Sequence, residues 1–272
     1  MGKKLYLCMD NPTQKKTMSA YLSIYQTILS AMAIMGLFVF VALYFVDAGY
    51  GKFRSKKWGY SVSNKLGWVL MECPALIPIA YTLVALSPSN LAILFMSLYA
   101  LHYVYRSFVF PALLKGKSKM PLAIVDMGAT FNFINSSLLC ASVVAFPQES
   151  YTDIPSYALH WNFWLGLVLF FLGMYTHMKA DHTIRNLRKP GDTNHYLPKG
   201  GMFDYVTSAN YFGELLEWTG FAIILNNPAA WLFVWWTAAN LVPRAHSINK
   251  KYRAEFGNEQ VGNRKRVIPF VY

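Results

Sequence analysis

Seven stretches of this chain are long and apolar enough to cross a lipid bilayer, at roughly 18–46, 66–86, 90–114, 121–145, 158–178, 205–225 and 228–243. A hydrocarbon core about 30 Å thick is crossed by about 17–25 largely apolar residues in a helix. Every backbone N–H and C=O in that layer must find its partner within the protein, which leaves helices or closed barrels. The lengths here fit helices. The expected fold is therefore all-α: a polytopic integral membrane protein with seven transmembrane helices. It forms a single membrane-embedded domain over 1–272, with a short N-terminal segment 1–17 and a C-terminal tail 244–272. Composition agrees, since only 14% of residues are charged against about a quarter in soluble domains. The first window is too long, and follows too polar an N-terminus, to read as a cleaved signal peptide.

A net charge of +12 would fit a nucleic-acid partner, but its distribution argues against one. Seven spans place the loops 47–65, 115–120 and 179–204 and the tail from Arg244 on one side. These hold five, three, five and seven Lys/Arg, twenty of the twenty-five in the chain. Cytoplasmic loops carry such an excess, so the C-terminus is expected in the cytoplasm and the N-terminus outside or in a lumen. The membrane would be the endoplasmic reticulum in a eukaryote or the inner membrane in a bacterium. Much of the basicity then serves topology and attraction to lipid surfaces. No metal is expected: Cys8, Cys73 and Cys140 are isolated, and the six histidines form no HExxH or tight cluster. Glycine-rich nucleotide loops and a Ser-His-Asp order are also missing.

The sixth window carries the strongest functional signal. Asn210, Glu214 and Glu217 lie at i, i+4 and i+7, so they share one helix face. A carboxylate at bilayer depth costs about 2.5–3.5 kcal/mol on insertion scales, and two on one face demand partners, water or a polar ligand. Other polar groups interrupt the spans: Glu72 in the second, Tyr103 and Arg106 at i, i+3 in the third, Asn132 and Asn135 at i, i+3 in the fourth. Asp181 follows the fifth, one turn after His177. Each alone has a plain structural explanation. Glu72 could pair with Arg106, Tyr103 could be an interfacial tyrosine, and the asparagines could bind helix to helix. Together they also supply a carboxyl and a phenol near an arginine, the pieces of a tuned proton donor. Asn90, after the turn Ser87-Pro88-Ser89, reads as a helix cap.

At these residues the chain resembles the steroid 5-alpha-reductase family, its plant brassinosteroid branch as closely as the animal enzymes. The resemblance runs from about Gly49 to Tyr272. It is strongest in PKGGMFDYVTSANYFGELLEWTGF (198–221), backed by LRKPGD (187–192), WVLMECP (68–74), LHYVYRSFVF (101–110) and the ending IPFVY (268–272). It implies a seven-helix reductase that uses NADPH on a 3-oxo-4-ene steroid drawn from the bilayer. By resemblance the catalytic pair is Glu72 and Tyr103, hydrogen-bonding the 3-oxo group. The cofactor-binding positions fall on Lys52, Arg106, Lys117, Asn135, Asp181, Arg188, Asn210, Glu214, Arg244 and Tyr252. Three positions depart from the family pattern: His177 replaces an asparagine, Ile248 and Asn249 replace a tail histidine, and Met71 replaces the glutamine common in animal members. Alternatives are a related reductase of a polyprenol or enoyl-thioester lipid, a membrane methyltransferase, or a lipid transporter.

Overall fold

A computed structural model describes residues 12–46, 59–115, 118–187 and 195–272. Lys52, Lys117 and Arg188 lie outside the described residues. The chain is mostly helical, in the order α1 (Pro12–Phe45), β1 (Ser61–Ser63), α2 (Asn64–Glu72), α3 (Leu76–Ala85), α4 (Asn90–Val104) and α5 (Phe110–Leu113). There follow β2 (Lys119–Pro121), α6 (Leu122–Val144), α7 (Ile154–Tyr157), α8 (Trp161–Asn186), α9 (Ala209–Leu225) and α10 (Pro228–Val261). Five helical stretches are long and apolar enough to cross a membrane: Thr13–Phe45, Asn64–Ala85, Asn90–Leu113, Leu122–Val144 and Trp161–Asn186. The other two expected spans correspond to α9, 17 residues with two carboxylates, and to the apolar first half of α10, which runs on into Arg244.

Several local features depart from the sequence expectation, each for a physical reason. The second span is broken by a 3-10 turn at Cys73–Ala75, because Pro74 has no N–H for the carbonyl four residues back. The third loosens into a π turn over Tyr105–Val109, where Pro111 leaves the Ser107 carbonyl without its helical donor. The cap of α4 is Ser89, whose hydroxyl accepts from Ala92 N at 3.2 Å; Asn90 is the first helical residue. A short two-stranded sheet pairs Ser61 with Pro121 and Ser63 with Lys119, adding strand to an otherwise helical chain. The fifth span runs about two turns beyond its expected end, so Asp181 is helical and lies at i+4 from His177.

The centre of the molecule is the α8–α9 pair. Gly166 and Gly173 on α8 face Gly220 and Gly213 on α9, and at each a β-carbon would run into backbone atoms of the opposite helix. Small residues at such spacing let two backbones touch, which drives helix association where lipid offers no hydrophobic gain. Tyr157 and Asn162 add hydrogen bonds to the Ile224 and Ile223 carbonyls at the far end of α9. Around this pair lies an aromatic core in which Trp218 sits 4.5 Å from Phe233 and 5.5 Å from Tyr99, centroid to centroid. The first helix docks onto α10, with the Trp235 and Trp236 indoles donating to the Ala33 and Met32 carbonyls at 3.1 and 3.0 Å. Its remaining faces present bare apolar side chains such as Ile34, Phe38 and Val41, a surface suited to lipid tails.

The glycine contact yields a test. Gly173→Ala would push a methyl into the Glu217 backbone, and overpacking of this kind costs about 1–3 kcal/mol. Gly128→Ala meets only the Met71 side chain, which can turn aside. Thermal unfolding followed by tryptophan fluorescence should show a clearly larger drop for Gly173→Ala; equal drops would mean that the helix pair does not depend on backbone contact.

Candidate functional site

Helix α4 brings three functional side chains to the interior: His102 and Tyr103 in its last turn and Arg106 in the π turn. All three are buried. Arg106 lies over the ring of Trp68 at 4.3 Å and that of Phe110 at 4.7 Å, a cation–π seat that suits a weakly hydrated guanidinium. From there it reaches two carboxylates on two other helices. Arg106 Nη1 donates to Asp181 Oδ2 on α8 at 3.3 Å, and Nη2 lies 3.7 Å from Glu214 Oε1 on α9.

His177 completes this cluster. Its Nε2 lies 3.1 Å from Asp181 Oδ2 and 3.5 Å from Glu214 Oε1, while its Nδ1 faces Glu217 Oε2 at 3.5 Å. Glu217 turns its other oxygen to His102 Nδ1 at 2.8 Å. Asn210 Nδ2 donates to Asp181 Oδ1 at 3.4 Å. Three carboxylates, an arginine and two histidines therefore interlock in the interior, with Glu217 and His177 fully buried and Glu214 at the edge, its side chain 13% exposed. Buried charge survives only when paired in this way. The arrangement rests on the α8–α9 backbone contact: Gly213 meets the backbone of His177, and Gly173 meets that of Glu217.

A second polar row adjoins the first across Tyr103, whose ring centroid is 5.3 Å from that of His102. Tyr103 donates through its hydroxyl to Asn132 Oδ1 at 2.9 Å. Asn132 Nδ2 in turn donates to Glu72 Oε2 at 3.0 Å and to the Met71 carbonyl at 2.8 Å. One amide on α6 thus joins the phenol on α4 to the carboxyl at the end of α2. Glu72 has no ion pair among the described residues; Arg106 is committed to Asp181 and Glu214 rather than to it.

The remaining sequence candidates are distributed around these two rows. Asn135 donates to the Tyr99 hydroxyl at 3.1 Å, and Tyr99 stacks on Tyr103 at 4.6 Å. Arg244 Nε donates to the Tyr211 hydroxyl at 2.6 Å, which fixes α10 to the first turn of α9. Tyr252, buried two turns further on, packs with Leu197, Ile248 and Phe256. Arg106, Asp181, Asn210 and Glu214 meet in one cluster; Glu72 and Tyr103 meet in the other through Asn132. Sequence reasoning assigned no role to His102; it read Asn132 as a helix-to-helix bond, which the contacts to Glu72, Met71 and Tyr103 bear out, without naming those partners. The signal for His102 was its place beside Tyr103 in the run His-Tyr-Val-Tyr-Arg.

A helical, membrane-type fold with an internal ionic cluster and a neighbouring carboxyl–amide–phenol row defines a polytopic protein equipped for proton and hydrogen-bond chemistry away from water. A family model described as 3-oxo-5-alpha-steroid 4-dehydrogenase matches residues 118–272. The chain is 36% identical over 242 residues to steroid 5-alpha-reductase DET2 of Arabidopsis thaliana, covering 85% of this chain and 90% of that protein. It is 31% identical over 250 residues to 3-oxo-5-alpha-steroid 4-dehydrogenase 1 of Bos taurus, covering 87% and 93%. The human 3-oxo-5-alpha-steroid 4-dehydrogenase 1 is also 31% identical, over 260 residues. The chain belongs to the steroid 5-alpha-reductase family, a family of oxidoreductases acting on CH–CH bonds.

The ionic cluster predicts a stability order. Arg106→Gln takes the arginine partner from Asp181 and Glu214 and leaves them His177, with Asn210 as a neutral donor to Asp181; breaking a buried pair typically costs about 3–5 kcal/mol. Arg106→Lys should fall between that variant and the unaltered protein, because a compact ammonium cannot fork to two carboxylates while stacking on Trp68. Melting temperatures in detergent check the order, and an Arg106→Gln protein as stable as the parent would show the cluster to be structurally idle.

Proposed function

We propose that this protein reduces the 4,5 double bond of 3-oxo-4-ene steroids with NADPH, as an integral membrane enzyme of seven spans with its C-terminus in the cytoplasm. The observation that carries this reading is the row Glu72–Asn132–Tyr103 set against the Arg106 cluster. It puts a carboxyl and a phenol within one amide of each other, on three different helices. Two such groups converging on a ketone oxygen form a preorganised donor pair. Family membership sets the methyltransferase and transporter alternatives aside. The distribution of basic residues supports the topology.

In this reading Tyr103 releases Asn132 and donates to the substrate's 3-oxo group, and Glu72 in its acid form donates to the same oxygen. Polarising that carbonyl makes carbon 5 electrophilic, and the two donors stabilise the enolate oxygen that develops. Asn132 keeps both donors at their stations while the site is empty of ketone. A reduced nicotinamide, when bound, supplies the hydride. The chemistry of the cluster suits such a dinucleotide: an amide at Asn210 and carboxylates at Asp181 and Glu214 match ribose hydroxyls and a carboxamide. The Ser208 hydroxyl, buried without a hydrogen-bond partner immediately before α9, is a further polar group toward the same end of the helix. Arg106 and Arg244 supply positive charge for phosphates, with Lys52, Lys117 and Arg188 assigned there by resemblance.

The interior beside Tyr99 is tightly closed. The gap between Ile79, Phe95, Tyr99, Leu139 and Phe221 is about 10 Å³, about the least that holds one water. A sterol entering there must part the helices. The break after Glu72 and the π turn at Arg106 are two points at which α2 and α4 can yield, since such turns recur at functional sites.

Steroid-dependent oxidation of NADPH by the purified protein tests the activity. Glu72→Ala should lower turnover by about 100- to 1,000-fold, the usual loss for one preorganised donor, while NADPH still binds. Near-normal turnover in that variant would remove Glu72 from the mechanism. A separate titration tests the cofactor face. Asn210→Leu should weaken NADPH binding by roughly tenfold, about 1.4 kcal/mol, with less effect on steroid binding measured alone. Unchanged NADPH affinity with lost steroid affinity would assign that face to the substrate.

A further inference from the structure

The C-terminal segment forms a strap folded back on the residues that lead into α9 and on α10. Lys265 N donates to the Tyr205 carbonyl at 2.9 Å, and the Lys265 and Arg266 carbonyls accept from Thr207 N and Ser208 N at 2.9 and 3.1 Å. The strap is therefore tied, backbone to backbone, to the residues that open α9. Between it and α10 lies a groove of about 380 Å³ whose lining includes Arg253, Arg264, Lys265 and Arg266.

The charged side chains that line this groove are all of one sign. None of its four cations has an ion pair among the described residues. Arg253 braces the wall through neutral acceptors, Asn249 Oδ1, Asn258 Oδ1 and the Gly262 carbonyl, at 3.0–3.1 Å. Arg264 likewise bonds two carbonyls, of Pro198 and Gln260, and Arg266 lies over the Tyr272 ring at 4.5 Å. Four positive groups around one opening, with neutral partners only, make an anion site by charge complementarity.

Its setting identifies the source of the anion. The Tyr272 hydroxyl is 3.1 Å from that of Tyr44, in the last turn of the first apolar span. Tyrosines at the end of a span mark the level of lipid headgroups. Alongside, Phe270 and Val271 are 78% and 73% exposed, Phe270 touching only the edge of the Tyr205 ring among the described aromatic side chains. A phosphate in the groove and acyl chains over Phe270 and Val271 satisfy both halves of this surface. We propose that the groove binds the headgroup of an anionic membrane phospholipid.

Binding is read directly, without catalysis, by native mass spectrometry of the purified protein titrated with phosphatidylglycerol or with phosphatidylcholine. The proposal expects retention of phosphatidylglycerol over phosphatidylcholine, and a preference that weakens as salt rises. Lys265→Gln should reduce that retention by about fivefold and Lys265→Gln/Arg266→Gln by about thirtyfold, the effect of one and two interfacial cations. Inorganic phosphate at millimolar concentration should not displace the lipid. Equal retention of the two lipids by the unaltered protein overturns the proposal even if the variants fold poorly. Undiminished retention by folded variants does the same. Displacement by inorganic phosphate would make the groove a site for free anions, and displacement by NADPH would give it to the dinucleotide; either also overturns the proposal. Because no arm reads turnover, a failure here is distinct from a failure of the reductase reading.

Discussion

The contact between α8 and α9 is the constraint on which the rest depends. With Gly166 and Gly173 set against Gly220 and Gly213, the two helices run backbone on backbone. Close approach shortens the reach between side chains that leave the seam, so His177 and Asp181 on one helix can meet Glu214 and Glu217 on the other. A larger residue at any of these positions would separate the helices and stretch contacts already at 3.1–3.5 Å. The ionic cluster is thus a consequence of missing side chains as much as of charged ones.

Charge in such a place has to be balanced locally, and the sequence's departure at His177 is understandable in those terms. An imidazole there touches three carboxylates through its two nitrogens, where a neutral amide would offer a single donor group. Arg106 and His102 close the remaining sides. The balance leaves Glu72 without an ion pair, in hydrogen-bond contact with Asn132 alone among the described side chains. A carboxyl without an ion pair can serve as a neutral donor, and in the proposed reductase the two polar rows would divide the binding of a charged cofactor from the polarising of a ketone.

Much of this was legible from the sequence. The i, i+4, i+7 spacing of Asn210, Glu214 and Glu217 gave a shared face because period-3.6 geometry allows nothing else, and Tyr103 and Arg106, at i, i+3 in the third span, are both turned to the interior. The partners were harder to read. Asn132 serving as the bridge between Glu72 and Tyr103 depends on three helices meeting, which no local spacing encodes. The fifth helix was read as ending near residue 178 because Lys179, Asp181 and Arg185 look like a solvated loop; in the fold Asp181 faces inward and sustains the helix through its ion pairs. The four glycines carried a readable signal, a seven-residue interval on each of two helices, that polarity-based reading passes over. The short strand pair at Ser61 and Lys119 lies between apolar windows and has no alternation long enough to announce itself.

The same physics fixes the two ends of α9. Its last turns are locked: Tyr151 and Tyr157 bond the Leu225 and Ile224 carbonyls, Asn226 closes the helix in the left-handed conformation, and Asn227 caps the next one. Its first turn is held by Arg244 through Tyr211 and by the C-terminal strap through Thr207 and Ser208. It is also enclosed: Val206 and Ala209 pack with Phe203 and Ala180 in a small core, and Asn249 donates to the Thr207 hydroxyl at 3.3 Å. Local stability follows buried contact and protected hydrogen bonds, so both ends of α9 are anchored and Asn210 is held toward Asp181. A helix fixed at both ends keeps its polar face in register with α8, which is what an ionic cluster shared between two helices requires.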